Sequence, residues 1–148
     1  MESGIFDCPE TWEGLLPIGV RRLRKAAELS DQSWDLLALT RDGCRRLSGE
    51  AVSCRTLLVP GDCPPGLLAR LQAEAVISYG LSPRDSLTLS SLTEPVLCIQ
   101  RTLVRPDGGL VEPQEFPLPG LPGPAEALLP LLGLRLLQMP LTDAHFSW

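Results

Sequence analysis

The sequence contains very little histidine and very little lysine. Among its 148 residues, His145 is the only histidine and Lys25 is the only lysine. A single histidine leaves few options for metal sites or for histidine-based acid–base catalysis. A Walker A loop is excluded because Lys25 follows an arginine, whereas that motif requires a Gly-Lys pair. The sequence therefore predicts neither a metal nor a cofactor.

Long apolar runs and a secretory signal are also missing. Residues 1–10 show no basic start followed by an apolar stretch, and no run approaches the ~18 apolar residues of a membrane span. The five cysteines are widely spaced and form no C-x-x-C pair. This spacing favours unpaired thiols in a reducing compartment over a disulfide framework or a zinc ribbon. We expect a cytoplasmic protein without membrane association.

The charge balance is mildly acidic. Thirteen lysines and arginines stand against 18 acidic residues, which gives a net charge of -5. This balance argues against a nucleic-acid partner. Four cations nevertheless lie within residues 21–25. They fit the solvated face of a helix that turns Leu23, Ala26 and Ala27 inward, and contact with an anion or an acidic partner is the alternative.

The chain is long enough for one domain, residues 1–148. Its parts are expected to be an arm with a helix over Val20–Leu29 (residues 1–30), an α/β core (residues 35–138) and a tail (residues 139–148). Continuous apolar runs predict buried parallel strands at residues 35–40, 53–60 and 75–79. A helix over residues 66–72 completes a βαβ unit, and a leucine-rich helix begins at Pro124 and ends near Gln138.

The pattern of polar and apolar residues changes after Pro83. Period-two alternation predicts a strand over residues 86–92, and a turn at Asp107-Gly108 predicts a hairpin between residues 96–105 and 110–118. In that register Arg101 lies opposite Gln114, and Gln100 lies opposite Glu115. The fold class is therefore a small, three-layer-like α/β domain with flanking helices, whose partly parallel sheet is extended by an antiparallel hairpin.

A series of short motifs has the order and spacing found in one enzyme family. They are residues 39–42 (LTRD), 58–64 (LVPGDCP), 77–82 (ISYGLS), 105–109 (RPDGG), 116–120 (FPLPG) and 126–129 (EALL). On these motifs, residues 35–138 resemble the second half of the central domain of the Mur ligases, the ATP-dependent cell-wall amino-acid ligases. The resemblance implies an α/β scaffold with a vestigial site for a nucleotide or a nucleotide-sugar.

The departures from the family pattern bear on activity. The phosphate loop and the carbamylated lysine that carries the family's magnesium have no counterpart here. Arg41 stands where the family has asparagine, and Cys63 replaces an aspartate. The resemblance therefore implies a relative that kept the scaffold and lost ligation, with no catalytic residues.

Ligands of open α/β sheets bind at the carboxyl ends of the parallel strands. Five residues would line that place: Thr40, Arg41, Asp62, Tyr79 and Gly80. Arg41 is the candidate phosphate contact because a guanidinium group pairs with phosphate oxygens in a bidentate manner. An ordinary surface arginine at the end of a strand is the alternative.

Two other functions stay open. The chain could be a structural subunit whose 96–118 hairpin pairs with a second copy or with a protein partner, through Gln100, Arg101, Gln114 and Glu115. It could also be a minor enzyme that uses Cys63, whose thiol pKa a nearby helix N-terminus would lower. The main expectation is a non-catalytic binding or interaction module.

Overall fold

The computed structural model describes residues 2–139 and residue 148, so His145 and most of the expected tail lie outside the described residues. Within this part of the chain, ten strands form one sheet of eight strands and one of two. The strands are β1 (Ser3–Phe6), β2 (Val20–Leu23), β3 (Trp34–Leu39), β4 (Ser53–Pro60), β5 (Gln72–Tyr79), β6 (Leu87–Leu89), β7 (Val96–Ile99), β8 (Leu103–Val104), β9 (Leu110–Val111) and β10 (Gln114–Pro117).

Short helices lie between the early strands, and one longer helix follows the last strand. Two are 3-10 helices, Glu10–Leu15 and Ala26–Ser30, and the others are α1 (Arg41–Arg46), α2 (Pro65–Leu68) and α3 (Ala125–Gln138). None of the helices in the described ranges has the length and apolar character needed to cross a membrane.

The large sheet has the strand order β10-β7-β6-β5-β4-β3-β1-β2. Strands β1 to β6 pair in parallel, whereas β7 is antiparallel to both of its neighbours, β6 and β10. The small β8–β9 hairpin extends from the β7 and β10 segments. This mixed sheet with flanking helices confirms the predicted fold class.

Helices cover both faces of the sheet. On one face, α3 packs on sheet residues such as Leu58, and its leucines are buried on all sides. The first 3-10 helix and the small hairpin belong to the same apolar cluster through Trp12 and Leu103. The opposite cluster joins α1, α2 and the second 3-10 helix to the sheet around the fully buried Trp34 and Leu37.

The N-terminal thirty residues differ from the prediction. The expected helix over Val20–Leu29 is wrong, because its first half is the edge strand β2 and its second half is a 3-10 helix. The expected arm contains β1, which is buried along its length between β2 and β3. Helix propensity is a local preference, and pairing with β1 outweighs it here. The cations of residues 21–25 form contacts within the chain, such as the ion pairs of Arg22 with Glu10 and Glu13.

The predicted hairpin is present, but its register is wrong. Gln114 pairs with Ile99, and Glu115 pairs with Cys98. The two predicted long strands are each interrupted, with three residues between β7 and β8 but only two between β9 and β10. This extra residue accounts for one position of the two-position shift, as a bulge does, and the other position arises at the turn, where Leu103 pairs with Val111. The 53–60 strand and the final helix match their predictions, whereas α2 ends early at Leu68 and the 86–92 strand shortens to Leu87–Leu89.

Candidate ligand-binding cleft

A cleft of about 630 Å³ opens at one edge of the large sheet. It lies where the parallel strands β1, β3 and β5 end, because the residues that follow or close these strands (Asp7, Thr40 and Tyr79) all line it. The carboxyl edge of a parallel sheet is the usual place for ligands in α/β folds, and the volume is in the range of small-molecule sites.

Helix α1 forms one wall of the cleft. Thr40 begins the helix as its N-cap residue, and its Oγ1 accepts a hydrogen bond from the backbone N–H of Gly43 at 2.9 Å. The same hydroxyl donates to the backbone oxygen of Asp7 at 2.8 Å. Arg41 and Arg45 lie one helical turn apart, and both line the cleft. Thr40 thus fixes the helix, and the two arginines present cations to the cleft.

The beginning of α3 forms the opposite wall. Gly123, Pro124, Glu126 and Ala127 line the cleft there. No side chain caps the first turn of α3, since its N-cap residue is Pro124. The first backbone N–H groups of a helix lack intrahelical partners, and they carry the positive end of the helix dipole. This wall therefore favours negative charge, although the Glu126 carboxylate opposes it in part.

The charged groups on the α1 side are already paired with each other. Arg41 Nη1 lies 2.8 Å from Asp62 Oδ2, and Arg45 Nη1 lies 3.2 Å from Asp42 Oδ1. Asp7 Oδ1 lies 3.0 Å from Arg46 Nη1. These side chains are exposed to solvent, except that of Asp7, which is partly buried. Exposed ion pairs contribute only about 0–1 kcal/mol, so an anionic ligand can displace them at small cost.

Tyr79 closes the inner end of the cleft. Its side chain is 2% exposed, and its Oη donates a hydrogen bond to the backbone oxygen of Leu39 at 2.7 Å. Burial raises the pKa of this phenol, so the hydroxyl stays protonated at neutral pH. Tyr79 therefore joins the ends of β3 and β5.

Two of the five predicted site residues do not line the cleft. Asp62 reaches it only through its ion pair with Arg41. Gly80 instead lies against the buried Asp85, and a Cβ at this position would come within 2.5 Å of Asp85 Oδ2. The absence of a side chain at Gly80 therefore permits a close approach of the loop that follows β5.

Several residues of the cleft escaped the sequence analysis. The sequence places Asp7 and Trp12 in an arm, because the four residues of β1 ahead of them form too short a run to indicate a strand. Arg45 had a usable signal, since it stands four residues after Arg41 and such residues share one face of a helix. Glu126 gave no signal, because the approach of the start of α3 to the strand ends is a tertiary feature.

The four predicted interface residues separate into two pairs. Gln100 Nε2 donates to the backbone oxygens of Pro83 at 2.9 Å and Asp85 at 2.7 Å, and Arg101 Nη2 donates to that of Arg84 at 2.6 Å. Both side chains thus hold the β5–β6 loop of their own chain. Gln114 and Glu115 lie on the outermost strand, β10, and are exposed.

Cys63 does not have the activated thiol that was expected. It is 7% exposed, and burial raises its pKa, whereas a hydrogen bond from the Cys44 thiol lowers it by a smaller amount. The prediction of a lowered pKa is therefore wrong. Proximity to α2 does not compensate, since that helix has a single turn and its N-terminus carries two prolines.

No protein-family model, curated protein or solved structure matches this chain. The resemblance of residues 35–138 to the Mur ligase central domain therefore stays a prediction.

Proposed function

We propose that this chain is a non-catalytic binding module whose cleft takes a phosphorylated small molecule, a nucleotide or a nucleotide-sugar. The observation that carries the proposal is the pairing of Arg41 and Arg45 on one wall with the uncapped first turn of α3 on the other. Guanidinium groups and free backbone N–H groups are the usual protein ligands of phosphate.

The size and surroundings of the cleft support the same class of ligand. A volume of about 630 Å³ accommodates a molecule of nucleotide size. The prolines at positions 9, 122, 124 and 130 and the ring of Trp12 add apolar surface for a base or a sugar. The motifs that resemble the Mur ligases motivate the choice of uridine and adenosine nucleotides as first probes.

A non-catalytic role is favoured by the state of the reactive groups. Asp7 and Asp42 are each held by an arginine, and burial raises the pKa of the Cys63 thiol. Neither aspartate is therefore poised as a base, and Cys63 does not line the cleft, so it is not placed to act on a bound ligand. We include a cytosolic location in the proposal, because Cys8, Cys44, Cys54 and Cys63 are buried free thiols, which is typical of proteins in reducing compartments.

The test is a thermal-shift and calorimetry panel with ATP, ADP, UDP and UDP-amino-sugars, with and without magnesium. A ligand at about 100 times its Kd stabilises the native state by roughly 2.7 kcal/mol, which raises Tm by several degrees. We expect Arg41→Ala to abolish the shift. Arg55→Ala is the matched control, because Arg55 is also an exposed, ion-paired arginine but lies outside the cleft. Equal responses of the two variants would contradict the proposal.

The alternative of a structural subunit retains one favourable observation. Strand β10 is the outermost strand at its edge of the sheet, and Gln114 and Glu115 on it are exposed. An edge strand of this kind can pair with a second copy or a partner protein. Light scattering over a range of concentrations tests this alternative, and a monomer at all concentrations would remove self-association.

A further inference from the structure

Two buried thiols lie side by side beneath the α1 wall of the cleft. Cys44 is on α1, and Cys63 is in the loop that connects β4 to α2. Their sulfur atoms are 3.8 Å apart, and the residues are 9% and 7% exposed. A disulfide has a sulfur–sulfur distance of about 2.05 Å, so the two sulfurs would need to approach by about 1.8 Å.

The proximity is specific to this pair among the described thiols. Cys8 and Cys54 are also buried, but neither thiol hydrogen-bonds to another described thiol, and the Cys98 thiol hydrogen-bonds to the backbone oxygen of Val96 and the Glu115 carboxylate. Cys44 and Cys63 are 19 positions apart in the sequence, so their contact arises from the packing of α1 against the end of β4.

The hydrogen bond between the thiols assigns different roles to them. The Cys44 S–H donates to Cys63 Sγ, and this bond favours the thiolate at Cys63. Burial, and to a smaller extent the neighbouring Cys63, raise the pKa of Cys44 to about 12. Cys63 is therefore the thiol that loses its proton first, and Cys44 is positioned to react with it afterwards.

We propose that Cys44 and Cys63 form a reversible intramolecular disulfide when the protein meets a hydroperoxide. The Cys63 thiolate attacks the peroxide, the O–O bond breaks, and a sulfenic acid forms at Cys63. Cys44 Sγ then attacks that sulfur and expels its oxygen. With hydrogen peroxide, the two thiols lose two electrons and two protons, one S–S bond forms, and two water molecules leave.

The bond would act at the wall of the cleft. Arg41 and Asp62 connect the same two segments through their ion pair on the solvent side. A disulfide beneath that ion pair would draw α1, which carries Arg41 and Arg45, toward the loop. The proposal does not rest on the binding function, since the bond is detected without any ligand.

Tryptic mapping is well suited to this question. Each cysteine falls in a different tryptic peptide, and Cys44 and Cys63 lie in residues 42–45 and 56–70. The full chain is treated with hydrogen peroxide, alkylated and digested without reductant. We expect peptides 42–45 and 56–70 to be joined with the loss of two hydrogen atoms, and to separate after dithiothreitol treatment. We also expect the melting temperature of the oxidised protein to rise by several degrees, because the bond restricts the unfolded chain.

Cys54→Ser is the matched control. Cys54 is at least as deeply buried as Cys44 and Cys63, and burial raises its pKa to about 12, as for Cys44. This variant should form the linked peptide to the same extent as the wild type, and Cys63→Ser should lose it. Four results would overturn the proposal: linkage between other cysteines, linkage only between two chains, over-oxidation of Cys63 without any linked peptide, or Cys44 and Cys63 both remaining free thiols. The wild-type map, together with a non-reducing gel that shows whether the oxidised protein is a single chain, decides the matter even where a serine variant does not fold.

Discussion

Arg41 Nη1 and Asp62 Oδ2 lie 2.8 Å apart and connect the first turn of α1 to the loop after β4. Arg41 lines the cleft, whereas its ion-pair partner Asp62 does not. In the absence of ligand, this ion pair keeps the arginine at the cleft wall. If the cleft binds a phosphate as proposed, the same carboxylate competes with that phosphate for Arg41.

Replacing that carboxylate should strengthen ligand binding. Asp62→Asn keeps the shape of the side chain but removes the negative charge that competes for Arg41. Exposed ion pairs are worth about 0–1 kcal/mol, so the Kd of a phosphorylated ligand should fall by up to about fivefold. Calorimetry with the best ligand of the panel measures this change. A weaker affinity in the variant would show that Arg41 needs Asp62 for its position more than it is hindered by it.

The packing of α1 depends on the lack of a side chain at Gly43. A Cβ at this position would lie 2.7 Å from the backbone oxygen of Phe6 and 3.1 Å from the Phe6 ring. Because the backbone of β1 is held on both sides by neighbouring strands, it cannot easily move away. We expect Gly43→Ala to lower the free energy of unfolding by about 1–3 kcal/mol, as overpacking does.

Gly66 provides the control for this substitution. It also lies in a short helix, α2, but a Cβ there would have no heavy atom within 4 Å. Gly66→Ala should therefore be neutral or should stabilise the protein by up to about 1 kcal/mol through helix propensity. Urea unfolding of both variants makes the comparison, and equal effects at the two positions would refute the close-packing argument.

The sequence was sufficient for those parts of the fold that depend on continuous apolar runs. Residues 53–60 and the core of β3 were recognised because buried parallel strands are apolar on both faces. Strand β1 was missed, since four residues form too short a run to be distinguished from a loop. The helix predicted at Val20–Leu29 failed because pairing between Val20–Leu23 and β1 is a long-range interaction that no local pattern reveals.

The cleft was predictable only in part, for a similar reason. Thr40, Arg41 and Tyr79 follow from the rule that ligands bind at the carboxyl edge of a parallel sheet. The other wall comes from the start of α3, and its approach to the strand ends depends on how α3 packs across the sheet. Sequence patterns indicate that this helix is buried, but they do not indicate which strand ends its first turn faces.

A pH-dependent contribution to stability is expected from Glu28. Its Oε1 accepts hydrogen bonds from the backbone N–H groups of Arg24 at 3.0 Å and Lys25 at 2.9 Å. These hydrogen bonds lower the pKa of Glu28 below its ordinary value of 4.5. Since the folded-state pKa lies below that of the unfolded chain, the stabilisation is complete above pH 4.5 and is lost as the pH falls through the folded-state pKa.

Glu28→Gln removes the charge at every pH and so isolates this effect. We expect the variant to melt below the wild type at pH 7, with a difference of a few degrees at most, and the two to converge in strong acid. Glu94→Gln is the control, because the Glu94 carboxylate makes no hydrogen bond to the described residues. A difference between wild type and Glu28→Gln that is constant with pH would show that the charge is not its cause.

The hydrogen bonds of Gln100 indicate that it supports the β5–β6 loop of its own chain and does not contact a partner. Its amide holds the backbone oxygens of Pro83 and Asp85, so Gln100→Ala should destabilise the protein by about 1 kcal/mol and expose the β5–β6 loop. The rate of tryptic cleavage after Arg84, in the same loop, should rise. Gln114→Ala should change neither property, because the exposed side-chain amide of Gln114 hydrogen-bonds only to the nearby backbone oxygen of Glu112 among the described residues.

The same two variants bear on the assembly alternative. If β10 pairs with a second copy, Gln114→Ala should weaken self-association in light scattering, and Gln100→Ala should leave it unchanged. If Gln100→Ala alone weakened association while the tryptic cleavage rate after Arg84 stayed constant, the loop-support role of Gln100 would be wrong. That result would instead support the hypothesis that Gln100 and Arg101 contact a partner chain through their amide and guanidinium groups.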